Sequence, residues 1–112
     1  MNCLIVDDDR GSAKLIENYI GKTNFLQYLH TCYSPIDAAN FLRKNKVDLI
    51  FLDIELPEMS GLDLAQTLSK DTQVIFMSAQ ANYAVKAFEI DVTDYMQKPI
   101  SYKRFLDSVQ KA

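Results

Sequence analysis

The sequence predicts an α/β domain built on a doubly wound, five-stranded parallel sheet in the order 2-1-3-4-5. Five short apolar runs alternate with five amphipathic segments along the 112 residues. The run Leu49 to Leu52 is apolar throughout, as suits a parallel strand covered by helices on both faces. Strict alternation of strands and helices implies right-handed crossovers with helices on both sides of the sheet. Five such units fit most economically into the order 2-1-3-4-5, which opens a crevice where the order reverses, between the C-terminal ends of strands one and three.

Each element has its own signals. Strand one, Cys3 to Val6, stops at three aspartates, and Ala13, Leu15, Ile16, Tyr19 and Ile20 then recur at helical spacing up to Gly21, with Asp9 as the N-cap. A second strand falls within Leu26 to Cys32. The tetrapeptide SPID opens helix two, with Ser34 as cap, Pro35 in the first turn and Asp37 completing the capping spacing. That helix carries Ala38, Phe41 and Leu42. After strand three the chain turns through Pro57 and Gly61, and Ser60 with Asp63 repeats the capping spacing ahead of a helix through Leu64, Ala65 and Leu68. Val74 to Met77 is strand four, a short helix is expected near Asn82 to Phe88, and strand five lies near Asp94 to Gln97. A last helix begins at about Ser101 and places Phe105, Leu106 and Val109 on one side.

Composition narrows the function. A chain of this length holds one ordinary core, and 48% hydrophobic with 24% charged residues suits a folded domain. The net charge of −3 gives no cationic face for nucleic acid, so DNA is not a direct partner of this chain. No apolar run is long enough to span a bilayer and the N-terminus carries no leader pattern, so no membrane association and a cytoplasmic location are expected. Cys3 and Cys32 show no metal or redox spacing and read as buried, reduced thiols. His30 falls in a strand away from the acidic edge and reads as packing or an exposed strand residue.

The predicted topology answers why Asp53 stands where an apolar run breaks. Asp7 and Asp8 end strand one and Asp53 ends strand three, so the fold draws three carboxylates into one crevice. Like charges that close raise one another's pKa unless a cation intervenes. Oxygen-only ligands open to water favour a hard ion such as Mg²⁺, with Mn²⁺ as a substitute. Ser78 closes strand four and Lys98 follows strand five. A carboxylate can act as a nucleophile toward phosphorus while an ammonium and a cation neutralise the equatorial oxygens, so this edge suits a phosphoryl group.

These residues resemble the receiver domains of two-component response regulators over essentially the whole chain. VDDD resembles the acidic pair at Asp7 and Asp8, LDIELPEMSGLDL the phosphoacceptor segment around Asp53, MSA the hydroxyl switch at Ser78, and DYMQKPI the strand-five motif with Tyr95, Lys98 and Pro99. The resemblance implies a flavodoxin-like receiver fold over residues 1–112. It also implies a sensor histidine kinase as phosphodonor and a domain that catalyses its own phosphotransfer and dephosphorylation without being an enzyme toward other substrates. It further implies Mg²⁺ held by Asp7, Asp8, Asp53 and the backbone carbonyl of Glu55, and a cis peptide bond before Pro99. On phosphorylation Ser78 and the following loop would move toward Asp53, and Tyr95 would rotate inward. The face made by the helix after strand four, strand five and the last helix is the family's usual readout surface and would serve a homodimer. Glu55 and Gln80 fall at two variable positions that influence acyl-phosphate hydrolysis. The YAVKAFE run and the DY-x-x-KPI that follows resemble receivers that precede LytTR-type DNA-binding domains, so the chain reads as a fragment of a longer regulator whose output domain lies outside it.

Other readings stand beside this one. The chain could be a stand-alone phosphorelay receiver. A Mg²⁺-dependent aspartyl phosphatase of the haloacid dehalogenase kind would place its nucleophile after strand one, where the sequence reads DDDRG. A flavin-binding module of the same topology would need a phosphate loop there, and three aspartates repel phosphate. A degenerate receiver acting through constitutive contacts would not need the complete set of Asp7, Asp8, Asp53, Ser78 and Lys98. Taken singly, Asp7 and Asp8 read as a solvated turn, Tyr95 as packing, and Lys98 as a surface lysine.

Overall fold

The computed structural model describes residues 1–81, 89 and 91–112. Among these, β1 (Asn2–Val6), β2 (Gln27–Cys32), β3 (Leu49–Asp53), β4 (Gln73–Ser78) and β5 (Asp94–Gln97) form one parallel sheet in the order β2-β1-β3-β4-β5. Helices α1 (Arg10–Gly21), α2 (Pro35–Lys44), α3 (Gly61–Ala65) and α4 (Tyr102–Val109) complete the described elements. The helix expected near Asn82 to Phe88 lies outside the described residues.

The side-chain period of two sorts each strand between two cores. Cys3, Ile5, Leu49, Phe51, Ile75, Met77 and Met96 pack with Ala13, Ile16 and Ile20 of α1 and Phe105 and Val109 of α4. Leu4, Val6, Ile50, Leu52, Val74, Phe76 and Tyr95 pack on the other face with Ala38 of α2 and Leu64 of α3. Every residue of β3 is buried, which is why its sequence shows no polar alternation. Phe51 stacks on Phe105 at 5.2 Å between ring centroids, fastening α4 to the central strand. Both cysteines are buried and free, and burial pushes each thiol up to about 11. His30 is exposed and stacks on Phe41 at 5.1 Å, away from the acidic edge.

The capping residues act as their types dictate. The Asp9 carboxylate accepts from Gly11 N–H and Ser12 N–H, Ser34 Oγ from Asp37 N–H, Ser60 Oγ from Asp63 N–H, and Ser101 Oγ from Arg104 N–H. Helix α3 is shorter than its apolar spacing suggests, ending at Ala65 rather than running through Leu68. The Leu64 carbonyl is taken by both the Thr67 N–H, at 3.0 Å, and the Thr67 hydroxyl, at 2.7 Å. Leu68 N–H then turns to Ala65 O, so the helix tightens into three-residue closures and stops. Leu68 still packs against the second core, so the apolar spacing reported burial correctly and helix length incorrectly.

Gly61 ties the β3–α3 connection to the end of β3. Its N–H donates to Ile54 O at 2.8 Å, and a Cβ built at this position would lie 2.2 Å from the Asp53 carbonyl oxygen. Backbone cannot yield as a flexible side chain does. Gly61→Ala is expected to cost about 3 kcal/mol of stability, read by urea denaturation, with an unchanged m-value.

Candidate functional site: an acidic edge with one ammonium

The sheet delivers its functional groups by parity. Cys3 and Ile5 count by twos to Asp7, Leu49 and Phe51 to Asp53, and Met96 to Lys98, all on the face that packs against α1 and α4. The ladder continues past the strands, because Asp7 N–H donates to Cys32 O at 3.0 Å and Lys98 N–H to Ser78 O at 2.7 Å. Phe76 counts to Ser78, which shares the opposite face with Tyr95. The sheet thus separates Asp7, Asp53 and Lys98 from Ser78 and Tyr95 by one pleat.

One carboxylate oxygen from each of Asp7, Asp8 and Asp53 lies within 4.8 Å of the others. Asp7 and Asp53 are buried, at 0% and 4% exposure, whereas Asp8 is open to solvent. Lys98 Nζ stands 3.0 Å from Asp7 Oδ2 and 3.4 Å from Asp53 Oδ2. Asp53 Oδ1 accepts from Glu55 N–H at 3.0 Å, and Asp7 Oδ1 from Asp9 N–H at 2.9 Å. Asp7 Oδ2 is buried, and it lies against the Lys98 ammonium. A buried acceptor of that kind, in an all-oxygen cluster with one solvent-facing member, fits a hard divalent cation. Asp9, the third acid of the run, is occupied by capping, and its hydrogen bonds to Ser12 and Gly11 hold it below the usual carboxylate range.

Burial first, and then the charge of Asp7, push the Asp53 carboxyl up to about 7 against the opposing pull of Glu55 N–H and Lys98. Burial works against the charged form of Lys98 too, but the hydrogen bond and charge of Asp7 and the charge of Asp53 outweigh it and raise the amine. A single ammonium therefore does not neutralise both acids at once.

Ser78 is fully buried. Its hydroxyl donates to Glu55 Oε1 at 2.8 Å and accepts from Gln80 N–H at 3.0 Å, while Gln80 Nε2 donates to Glu55 Oε2 at 3.1 Å. The sequence reading gives Glu55 a backbone carbonyl for the cation and, with Gln80, a position that influences hydrolysis; the bond of its side chain to Ser78, 23 positions away, was missed, because no linear period pairs the two. Tyr95 is expected to enter the core on phosphorylation, yet it is already buried at 8% exposure and its hydroxyl donates to Gln80 O. The Lys98–Pro99 peptide bond is cis. A second feature unread in the sequence is Arg104, which bonds Asp94 Oδ2 at 2.9 Å and the Tyr95 carbonyl at 2.7 Å. Burial raises the Asp94 carboxyl, but Arg104, Tyr95 N–H, Ser108 and Lys111 overcome it and hold the group at about 2.

The raised Asp53 pKa sets the sign of a pH effect. In cation-free protein the folded state holds this proton up to about pH 7, whereas the unfolded chain loses it near the model-peptide value of 3.8. The folded state binds the extra proton between those limits, so this stabilisation is full below the unfolded value and is lost as pH rises through 7. With chelator present, the melting temperature is expected to fall more between about pH 5 and about pH 8 in wild type than in Asp53→Asn, which carries no such proton.

Comparison with known proteins covers nearly the whole chain. A family model described as the response regulator receiver domain matches residues 3–110. The sensory transduction protein LytR of Staphylococcus epidermidis is 35% identical over 114 residues, covering 99% of this chain and 45% of that protein. The transcriptional regulatory protein YpdB of Escherichia coli is 32% identical, covering 99% and 47%. The chain thus spans about half the length of the curated relatives it matches. The crystal structure of the response regulatory domain of MrkE from Klebsiella pneumoniae superposes with a TM-score of 0.91 at 32% identity, covering 99% of this chain and 93% of that one. A Thermotoga maritima response regulator solved in complex with Mg²⁺-BeF shares the fold at 24% identity and a TM-score of 0.86, covering 98% and 96%. Matched from end to end in sequence and in fold, the chain belongs to the family of response regulator receiver domains, the phosphorylation-controlled modules of two-component signalling.

Proposed function

We propose that Asp53 is the phosphoacceptor, taking a phosphoryl group from the phosphohistidine of a sensor kinase in the cytoplasm. The observation that carries this reading is the gathering of the Asp7, Asp8 and Asp53 oxygens within 4.8 Å beside Lys98. In the transfer an Asp53 carboxylate oxygen forms the bond to phosphorus, the phosphorus–nitrogen bond breaks, and the departing imidazole keeps the electron pair. Lys98 faces the side where charge develops and remains protonated because both acids favour its ammonium form. Asp7, Asp8, Asp53 and the Glu55 backbone carbonyl would hold Mg²⁺, or Mn²⁺. When bound, that ion supplies positive charge that favours the ionised, nucleophilic form of Asp53 and screens the phosphoryl oxygens. The same groups, with water in place of imidazole, return the carboxylate and release phosphate, so the domain catalyses its own transfer and hydrolysis.

Ser78 and Tyr95 carry the change outward. The added charge of about −1.5 to −2 gives Ser78 and Lys98 contacts that differ between the two states and biases an existing equilibrium. The readout surface in this proposal comprises the segment after β4, β5 and α4, and it supports a homodimer. Relatives about twice as long, called a sensory transduction protein and a transcriptional regulatory protein, support reading residues 1–112 as the receiver of a longer regulator. Its output would be a LytTR-type DNA-binding domain, and DNA would be reached only through that domain. Among the described residues no helix is long and apolar enough to cross a membrane.

Incubation with Mg²⁺ and a small phosphodonor such as acetyl phosphate is expected to add one hydroxylamine-labile phosphoryl group, mapped to Asp53 by mass spectrometry. Asp53→Ala should abolish it, and Lys98→Ala should slow its formation by roughly two orders of magnitude, as loss of an electrostatic stabiliser does. Labelling of Asp53→Ala at the wild-type level would reject the assignment. Phosphate-ester turnover abolished by Asp7→Asn and indifferent to Asp53 would support the aspartyl phosphatase instead.

A further inference from the structure

We infer that the Glu55 carboxylate is a built-in anionic cap on the Ser78 hydroxyl, which a phosphoryl group on Asp53 must displace. The inference rests on the phosphoacceptor reading above. A serine hydroxyl has one proton to donate. Here that proton goes to Glu55 Oε1 at 2.8 Å, and Ser78 is buried, so water does not offer it another partner. Glu55 Oε2 also receives the Gln80 side-chain amide at 3.1 Å, while Gln80 N–H donates to Ser78 Oγ at 3.0 Å. The three residues close a ring of hydrogen bonds around one carboxylate. The Gln80 carbonyl then receives the Tyr95 hydroxyl, and Tyr95 is buried.

Two consequences follow from the chemistry of the donors. A carboxylate offers the Ser78 hydroxyl the same kind of acceptor as a phosphoryl oxygen, so Ser78 and Gln80 are already held by an anion before any phosphoryl group arrives. The burial of Tyr95 without phosphorylation accords with that. Second, Ser78 cannot donate to a phosphoryl oxygen until Glu55 releases it, and part of the new contact's free energy is spent on the exchange. Glu55 acts through Ser78 and is a positioning residue for phosphoryl binding. Its backbone carbonyl, the atom proposed to face the cation, is retained in any substitution.

The charge of Glu55 would also repel a phosphoryl group directly, with or without the Ser78 hydroxyl, and a double-mutant cycle separates the two effects. The probe is beryllofluoride with Mg²⁺, a phosphoryl mimic, with its dissociation constant read by fluorine-19 resonance in wild type, Glu55→Ala, Ser78→Ala and the double variant. Glu55→Ala is expected to bind roughly tenfold tighter than wild type, about 1.4 kcal/mol. On the Ser78→Ala background the gain should shrink to threefold or less, a coupling of roughly threefold or more. Glu55→Gln, which keeps an acceptor oxygen without the charge, should fall between wild type and Glu55→Ala. An equal gain with and without Ser78 would reduce Glu55 to plain charge repulsion and overturn the cap. Unchanged or weaker binding by Glu55→Ala would overturn it as well. Failure of wild type to bind, or binding retained in Asp53→Asn, would instead overturn the phosphoacceptor reading, and the cap with it.

Discussion

Among the described residues, two buried acids of like charge share one ammonium at the end of the sheet, and that imbalance is the constraint on which the rest of the structure turns. Burial and then the charge of Asp7 work against ionised Asp53, and Lys98 offsets them only in part, so the Asp53 carboxyl is raised to about 7. The fold meets the cost partly with backbone donors, Asp9 N–H to Asp7 and Glu55 N–H to Asp53. What is left over is an appetite for positive charge, expressed in the gathering of the Asp7, Asp8 and Asp53 oxygens within 4.8 Å. An edge tuned in this way is poorly neutralised as an isolated protein and well matched to a cation and a phosphoryl group together.

The pleat gives the edge two compartments. Asp7, Asp53 and Lys98 continue the residues that face α1 and α4, while Ser78 and Tyr95 continue those that face α2 and α3. Glu55, in the connection that leaves β3, reaches from the first compartment to the second: its N–H serves Asp53 and its carboxylate serves Ser78. Gly61 keeps that connection close, because any side chain there would press on the carbonyl of Asp53 itself. The acidic edge and the side of Ser78 and Tyr95 are therefore joined by a short stretch of chain rather than by a long relay of side chains.

Much of this was legible in the sequence because it depends on periods and strand ends. The strand order, the position of β5, the Asp9 and Ser34 caps and the meeting of Asp7, Asp8 and Asp53 all follow from alternation, capping spacing and a topological rule that says where strand ends collect. What escaped depends on competition between partners that lie far apart in the chain or compete locally for one carbonyl. The early end of α3 is decided by a threonine hydroxyl taking a carbonyl that helical spacing alone assigns to Leu68. The burial of Tyr95 agrees with its plain reading as packing, and its hydroxyl finds the Gln80 carbonyl, a partner that no period announces. A residue's type announces what it can bond, and only the fold decides which rival wins.

Arg104 shows what such rivalry can build. Its guanidinium holds a side chain of β5, Asp94, with one nitrogen and the backbone of the next residue, Tyr95, with another, while its own helix is anchored to β3 through Phe105. A rigid planar fork with two grips transmits a tug as a lever does, without stretching. A shift of β5 at Asp94 and Tyr95 would therefore be felt at α4 through this fork.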